Sequence, residues 1–73
     1  MARNEIDSMV IRSNLNTLYV LSKTIDGTME SDTPELRGIA LSAACIMIST
    51  AQEIASRLNL LVAAIDNSKG EQV

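Results

Sequence analysis

The sequence predicts an all-α fold, a two-helix antiparallel hairpin that assembles as a homodimeric four-helix bundle. Three observations carry this prediction. Apolar residues recur every three or four positions in two long segments, which is the spacing of one helix face. A single stretch of loop-forming residues separates the two segments. The apolar residues are almost all aliphatic, because the chain has one Tyr and no Phe or Trp, and an alanine-rich aliphatic set favours helices.

The short first helix is predicted over about residues 5–26. Asn4 is a good N-cap, and acidic residues in the following turn complement the helix dipole. Gly27 follows Asp26 and is predicted at the left-handed position that ends a helix. A strand is the alternative for this β-branched segment, but the apolar spacing is nearer 3.6 than 2. The predicted apolar face comprises Ile6, Val10, Ile11, Leu15, Leu18, Leu21 and Ile25.

The long second helix is predicted over about residues 34–66, after the loop-forming stretch "GTMESDTPE". Asp32 or Thr33 can cap it, and Pro34 suits its first turn, where a missing N–H costs nothing. Asn67, Lys69 and Gly70 mark its expected end, so residues 67–73 are predicted to be a frayed tail of a single domain spanning residues 1–73.

The apolar arc of the second helix is wider than one neighbouring helix can cover. Its main stripe is Leu36, Ala40, Ala43, Met47, Ala51, Ile54, Leu58, Leu61 and Ile65, and a second stripe beside it is Leu41, Ala44, Ile48, Ala55 and Val62. Two hairpins side by side would cover both stripes, with a two-fold axis around residues 47–51. The predicted dimer core is Ala40, Ala43, Ala44, Met47, Ile48, Ala51, Ile54, Ala55, Leu58 and Leu61.

The size of the chain also favours self-association. A chain of 73 residues buries only about 60% of its unfolded surface and usually needs a disulfide, a metal or a partner copy. Its single cysteine, Cys45, allows no intrachain disulfide, and the absence of His argues against a structural zinc site. No metal or other cofactor is therefore expected, and oligomerisation is left as the source of extra core.

Five residues are candidates for contacting a protein partner: Met9, Tyr19, Val20, Glu53 and Arg57. The first three lie off the main stripe of their helix, so they form an exposed apolar patch or pack on the second subunit. Tyr19 is the expected anchor, because aromatic residues are enriched in interfaces. Glu53 and Arg57 are four residues apart, which suits either a polar hotspot or an exposed ion pair.

Two further residues have both a functional and a structural interpretation. Asn14 falls inside the apolar face of the first helix, where it would fix register if buried or simply lie at the rim. Cys45 would be a reactive thiol if exposed beside a base, but the chain has no His and an apolar run surrounds it, so a packing role is expected.

Composition and patterning disfavour several classes of function. No nucleophile–base pair or phosphate loop can be assembled, so an enzyme is not expected. The net charge of −3 and the scattered six basic residues disfavour direct nucleic-acid binding. Charged residues interrupt the N-terminal segment, which predicts a cytoplasmic protein rather than a secreted one.

Protein–protein interaction remains as the expected function, with the chain acting as a regulator, inhibitor or adaptor. Its small size suggests an accessory protein of a phage or mobile element. A membrane-active helix is the first alternative, but the uncharged run 38–51 is shorter than the ~20 residues of a span, and extending it brings in Glu53 and Arg57. A structural subunit or assembly chaperone is the second alternative, because it would use the same apolar faces.

Overall fold

The fold, obtained as a computed structural model, is a long hairpin of two helices. The structure describes the backbone of residues 3–71 and the side chains of residues 5–68. Helix α1 spans Arg3–Thr28 and helix α2 spans Pro34–Glu71, and no residue between 3 and 71 lies in a strand. The two helices pack against each other along a body of 61 × 17 × 13 Å. The predicted all-α hairpin is confirmed.

Helix α1 continues through the glycine that was expected to stop it. Among the described residues none has a positive φ, so the prediction that Gly27 is a left-handed cap is wrong. The helix persists because Met29 N–H still donates to the Ile25 carbonyl at 2.9 Å and the Thr28 hydroxyl donates to the Thr24 carbonyl at 2.6 Å. The helix also begins at Arg3, so Asn4 lies within it rather than at its N-cap.

The connection between the helices, residues 29–33, is stabilised by local hydrogen bonds. The Thr33 carbonyl accepts the first N–H groups of α2, from Leu36 at 3.1 Å and Arg37 at 3.2 Å, which puts Thr33, one of the two predicted caps, at the N-cap position. Ser31 accepts two hydrogen bonds. Thr33 N–H donates to its hydroxyl at 3.1 Å, and Arg37 Nη1 donates to its carbonyl at 2.7 Å.

Helix α2 runs to Glu71, past the expected end near residue 66 and into the stretch predicted to fray. Asn67 and Gly70 lower helix propensity, but without a proline each added residue still gains a backbone hydrogen bond. With 38 residues against 26, α2 is roughly 18 Å longer than α1. Since a short loop aligns the helices at one end, the excess of α2 projects at the other, the open end.

The two helices meet along regular heptad seams. The inner seam of α2 is buried or half-buried and is formed by Ala40, Ala43, Met47, Thr50, Ile54, Arg57 and Leu61. The inner seam of α1 is formed by Asp7, Ile11, Asn14, Leu18, Leu21, Ile25 and Thr28, in the same burial classes. Steps of three and four alternate strictly on both helices, which is the 3.5-residue repeat of a left-handed coiled coil.

The inner seam of α2 differs from the main apolar stripe expected for this helix. Four residues placed in that stripe are exposed: Leu36, Ala51, Leu58 and Ile65. Beside Ala51 and Leu58, it is Thr50 and Arg57 that face α1. A strict 3.5-residue repeat keeps Thr50 and Arg57 on the side of α1. The residues that follow them, Ala51 and Leu58, lie about 100° further round the helix. The most apolar face of α2 is therefore not the one that α1 covers.

Candidate functional site

A continuous apolar stripe lies on the surface of α2, next to its inner seam. We call it the outer stripe, and it consists of Leu41, Ala44, Ile48, Ala51, Ala55, Leu58 and Val62. Each member follows a residue of the inner seam, so this stripe has the same heptad spacing but faces about 100° away from α1. Leu41 is 69% exposed and Ile48 61% exposed, and only Ala44 is half-buried. A second heptad face of this kind is suited to another helix.

The outer edge of this stripe is polar. Gln52, Asn59 and Asp66 recur every seven residues on the outermost face of α2 and are exposed. Cys45 begins the same row, and it is exposed rather than packed in the core. This polar row separates the outer stripe from the opposite side of α2, so the helix is not apolar all round.

Helix α1 adds apolar residues on the same side of the hairpin as the outer stripe. Both helices are right-handed and run in opposite directions, so a step of one residue from either inner seam turns towards the same side. On α1 this step reaches Leu15, Tyr19 and Met29, which are about half exposed or more. Leu15 was expected on the face that meets α2 and lies on its flank instead. The Lys23 ammonium nitrogen lies 5.4 Å from the Tyr19 ring centroid, at cation–π distance.

The other side of α2 is more polar. This opposite flank consists of Ile39, Ser42, Ile46, Ser49, Glu53, Ser56 and Leu60, and all of its members are exposed. Three serines and one carboxylate interrupt its apolar side chains, whereas the outer stripe has no polar member. The outer stripe is thus the face whose burial would remove most apolar surface from water.

A charged cluster holds the helices together near the open end. Arg57 Nη1 donates to Asp7 Oδ1 at 3.0 Å, and Arg57 Nε donates to Glu53 Oε1 at 3.1 Å. Asp7 is the most buried side chain of the described residues, with 1% of its surface exposed. The hydrogen bonds to Asp7 first and Glu53 second raise the pKa of Arg57, so its guanidinium stays charged.

Sequence reasoning found the Glu53–Arg57 pair but missed the third member of this cluster. Asp7 was interpreted as a carboxylate favoured by the helix dipole. Its spacing could have revealed this role. Asp7 lies seven residues before Asn14, so the heptad repeat places both residues in the inner seam of α1. Which residue it would meet depends on the length of the loop and the register of α2, which heptad spacing alone does not give.

Asn14 lies in the inner seam of α1 and is half-buried. Its side-chain nitrogen Nδ2 is buried without a hydrogen-bond partner in the described part of the chain. A buried amide nitrogen of this kind costs free energy, so a polar residue at this place lowers the stability of the hairpin.

The remaining predicted site residues are distributed over several faces. Met9, Tyr19 and Val20 are all exposed. Met9 lies roughly 15 Å from Tyr19 along the axis of α1, and Tyr19 and Val20 lie on opposite flanks of that helix. They therefore form no single patch. The predicted dimer core divides into residues facing α1, which are Ala40, Ala43, Met47, Ile54 and Leu61, and residues of the outer stripe, which are Ala44, Ile48, Ala51, Ala55 and Leu58.

By length and composition the apolar part of α2, within residues 34–68, could cross a membrane, and only 11% of its most apolar window is buried in the hairpin. Among the described residues no three His, Cys, Asp or Glu side chains are grouped to hold a metal. What the arrangement offers chemically is apolar contact surface and one charged cluster. No protein-family model, curated protein or solved structure matches this chain.

Proposed function

We propose that the protein is a non-enzymatic, homodimeric four-helix bundle that acts by protein–protein interaction, as a regulator, inhibitor or adaptor of another protein. The exposure of the outer stripe is the observation that carries this proposal. Large side chains at heptad spacing, Leu41 and Ile48 foremost, remain in water in the isolated hairpin. Contiguous apolar surface of this kind marks interaction sites in small proteins.

The thinness of the hairpin core supports self-association. Ala40 and Ala43 are the only apolar residues that are buried among the described residues, with less than a tenth of their surface exposed. Burying a large aliphatic side chain contributes about 1.5–3 kcal/mol, and alanines supply much less. A hairpin with so small a core would be stabilised by a second copy that covers the outer stripe. The resulting dimer would have the size of an ordinary four-helix bundle.

The oligomeric state can be measured by sedimentation equilibrium. The wild-type chain should have the mass of a dimer, and Ala51→Glu should give a monomer, because it puts a charge in the middle of the outer stripe. Gln52→Glu is the matched control: it adds the same charge on the adjacent polar row and should leave the mass unchanged. A wild-type monomer at all concentrations would refute self-association.

The partner-binding part of the proposal is tested through Tyr19, which is 61% exposed. Tagged wild-type protein should retain one specific partner from its native host at fixed stoichiometry, and Tyr19→Ala should lose it. Asn16→Ala, three residues away on the exposed outer face of α1, should retain it. Equal recovery by wild type and Tyr19→Ala would contradict the role of Tyr19 as anchor.

A membrane-active protein is the second candidate, favoured by the length and low burial of the apolar part of α2. Against it, Glu53 and Arg57 lie within that helix, and charged residues at mid-span cost roughly 2.5–3.5 kcal/mol each on insertion scales. Vesicle flotation separates the two candidates. We expect the protein to stay at the bottom of the gradient, and flotation with neutral phospholipid vesicles would favour the membrane instead.

A further inference from the structure

We infer that the occupant of the outer stripe is the outer stripe of a second copy, with the two α2 helices antiparallel and the two-fold axis level with Ser49 and Thr50. This inference rests on the proposed self-association and specifies its geometry. It follows from three properties of α2: the order of side-chain sizes, a depression in the surface, and the charges at the two ends of the stripe.

Side-chain sizes along the outer stripe are compatible with such an axis. In antiparallel heptad packing, an axis at this level puts Ile48 opposite Ala51 of the second copy and Ala44 opposite its Ala55. Leu41 then meets Leu58 of the second copy. Each of the four central layers contains at least one alanine, which lets the helices approach closely: two layers pair alanine with alanine, and two pair Ile48 with Ala51. Leucine pairs close both ends.

A shallow depression on the outer stripe is compatible with the same register. It is lined by Ala55, Leu58, Asn59 and Val62. Four residues with these spacings form the hole that accepts one side chain of a facing helix. The proposed axis places Leu41 of the second copy over this hole, and Leu41 is the most exposed large apolar side chain of the described residues.

Charges at the ends of the stripe favour the antiparallel orientation. Arg37 lies four residues before Leu41, and Asp66 lies four residues after Val62. An antiparallel pair brings Arg37 of one copy to within about one helical turn of Asp66 of the other. A parallel pair would instead put like charges together at both ends, which is destabilising.

The inference is tested by disulfide trapping in a Cys45→Ser background, where each variant carries one cysteine. Ala51→Cys should cross-link two copies quickly on mild oxidation. Its two Cα atoms would be offset by about 4–5 Å along the axis, so closely packed helices bring their full separation into the 4.4–6.8 Å range of a disulfide. The readout is the fraction of cross-linked dimer on a non-reducing gel.

Two controls separate the face from the register. Ser49→Cys is level with the axis but lies on the opposite flank, so it should not cross-link. Ala55→Cys is on the outer stripe, but an antiparallel pair holds its two copies about 16 Å apart along the axis, so it should not cross-link either. We expect at least a tenfold difference in initial cross-linking rate between Ala51→Cys and each control.

Each other outcome overturns part of the assignment. Cross-linking of Ser49→Cys instead of Ala51→Cys moves the second copy to the opposite flank. Equally fast cross-linking of Ala51→Cys and Ala55→Cys indicates a parallel pair or another axis. If sedimentation gives a dimer and no variant cross-links, this geometry is wrong while the proposed dimer stands. If sedimentation gives a monomer, the proposed dimer itself fails, and flotation with vesicles would then identify a lipid surface as the occupant.

Discussion

Arg57 connects the two helices through side chains of very different exposure. Its bond to Asp7 reaches a buried carboxylate, whereas its bond to Glu53 joins a side chain that is about half exposed. An exposed pair contributes little, but a buried carboxylate that loses a charged hydrogen-bond partner destabilises the fold. The Arg57–Asp7 hydrogen bond should therefore contribute more to stability than the Arg57–Glu53 pair does.

We accordingly expect Arg57→Met to lower Tm more than Glu53→Gln does. The first change removes the 3.0 Å hydrogen bond to Asp7 together with the pair to Glu53, and the second removes only the surface pair, worth about 0–1 kcal/mol. Thermal unfolding followed by circular dichroism measures both. Equal losses in Tm would show that Asp7 gains nothing from Arg57.

Asn14 should behave in the opposite way, because its burial is costly. Asn14→Leu removes a buried amide nitrogen that has no partner and should raise the free energy of unfolding by about 1–3 kcal/mol in urea titrations. Asn16→Leu, on the exposed face, should change it little. A loss of stability in Asn14→Leu would indicate that the assembled protein satisfies this amide.

The helices themselves follow from propensity and spacing, with one weak point near the start of α2. Gly38 has helical backbone, and apart from its chain neighbours and the adjacent backbone of α2, no heavy atom lies within 4 Å of the Cβ it would carry as alanine. Gly38→Ala should therefore stabilise the protein by about 0.8–1.0 kcal/mol, the difference in helix propensity. Chemical denaturation gives the value, and cross-linking of Ala51→Cys should be unchanged, since Gly38 lies on the outermost face. A loss of stability would reveal an unseen contact at Gly38.

Two helices, the loop and a cap at Asp32 or Thr33 could be predicted from the sequence, because they depend on local spacing and on residues such as Pro34. The ends were less accurate: Gly27 suggested a stop, but the Thr28 hydroxyl and the Met29 amide continue the helical pattern past it. The inner seam was shifted by one residue at Thr50 and Arg57, since apolarity favoured Ala51 and Leu58. Which of two adjacent stripes meets α1 is decided by the partner helix, where Asp7 engages Arg57.

As a whole, the molecule is a narrow rod whose folding should be coupled to its assembly. If two hairpins share the outer stripe, dissociation exposes Leu41 and Ile48, so Tm should rise with protein concentration. Scanning calorimetry over a hundredfold range of concentration measures this, with Ala51→Glu as a variant whose Tm should stay constant. A wild-type Tm that is independent of concentration would argue against an obligate dimer.

The projection of α2 beyond α1 also determines how hydrogen isotopes exchange with solvent along the chain. Roughly 18 Å of α2 at the open end has no α1 beside it, so fraying of this single helix is enough to expose its amides to exchange. The amides around Ala40 and Ala43 should exchange only when the whole hairpin opens. Deuterium should therefore enter α2 from Glu71 inwards, and the residue at which fast uptake stops marks where the two helices begin to hold each other.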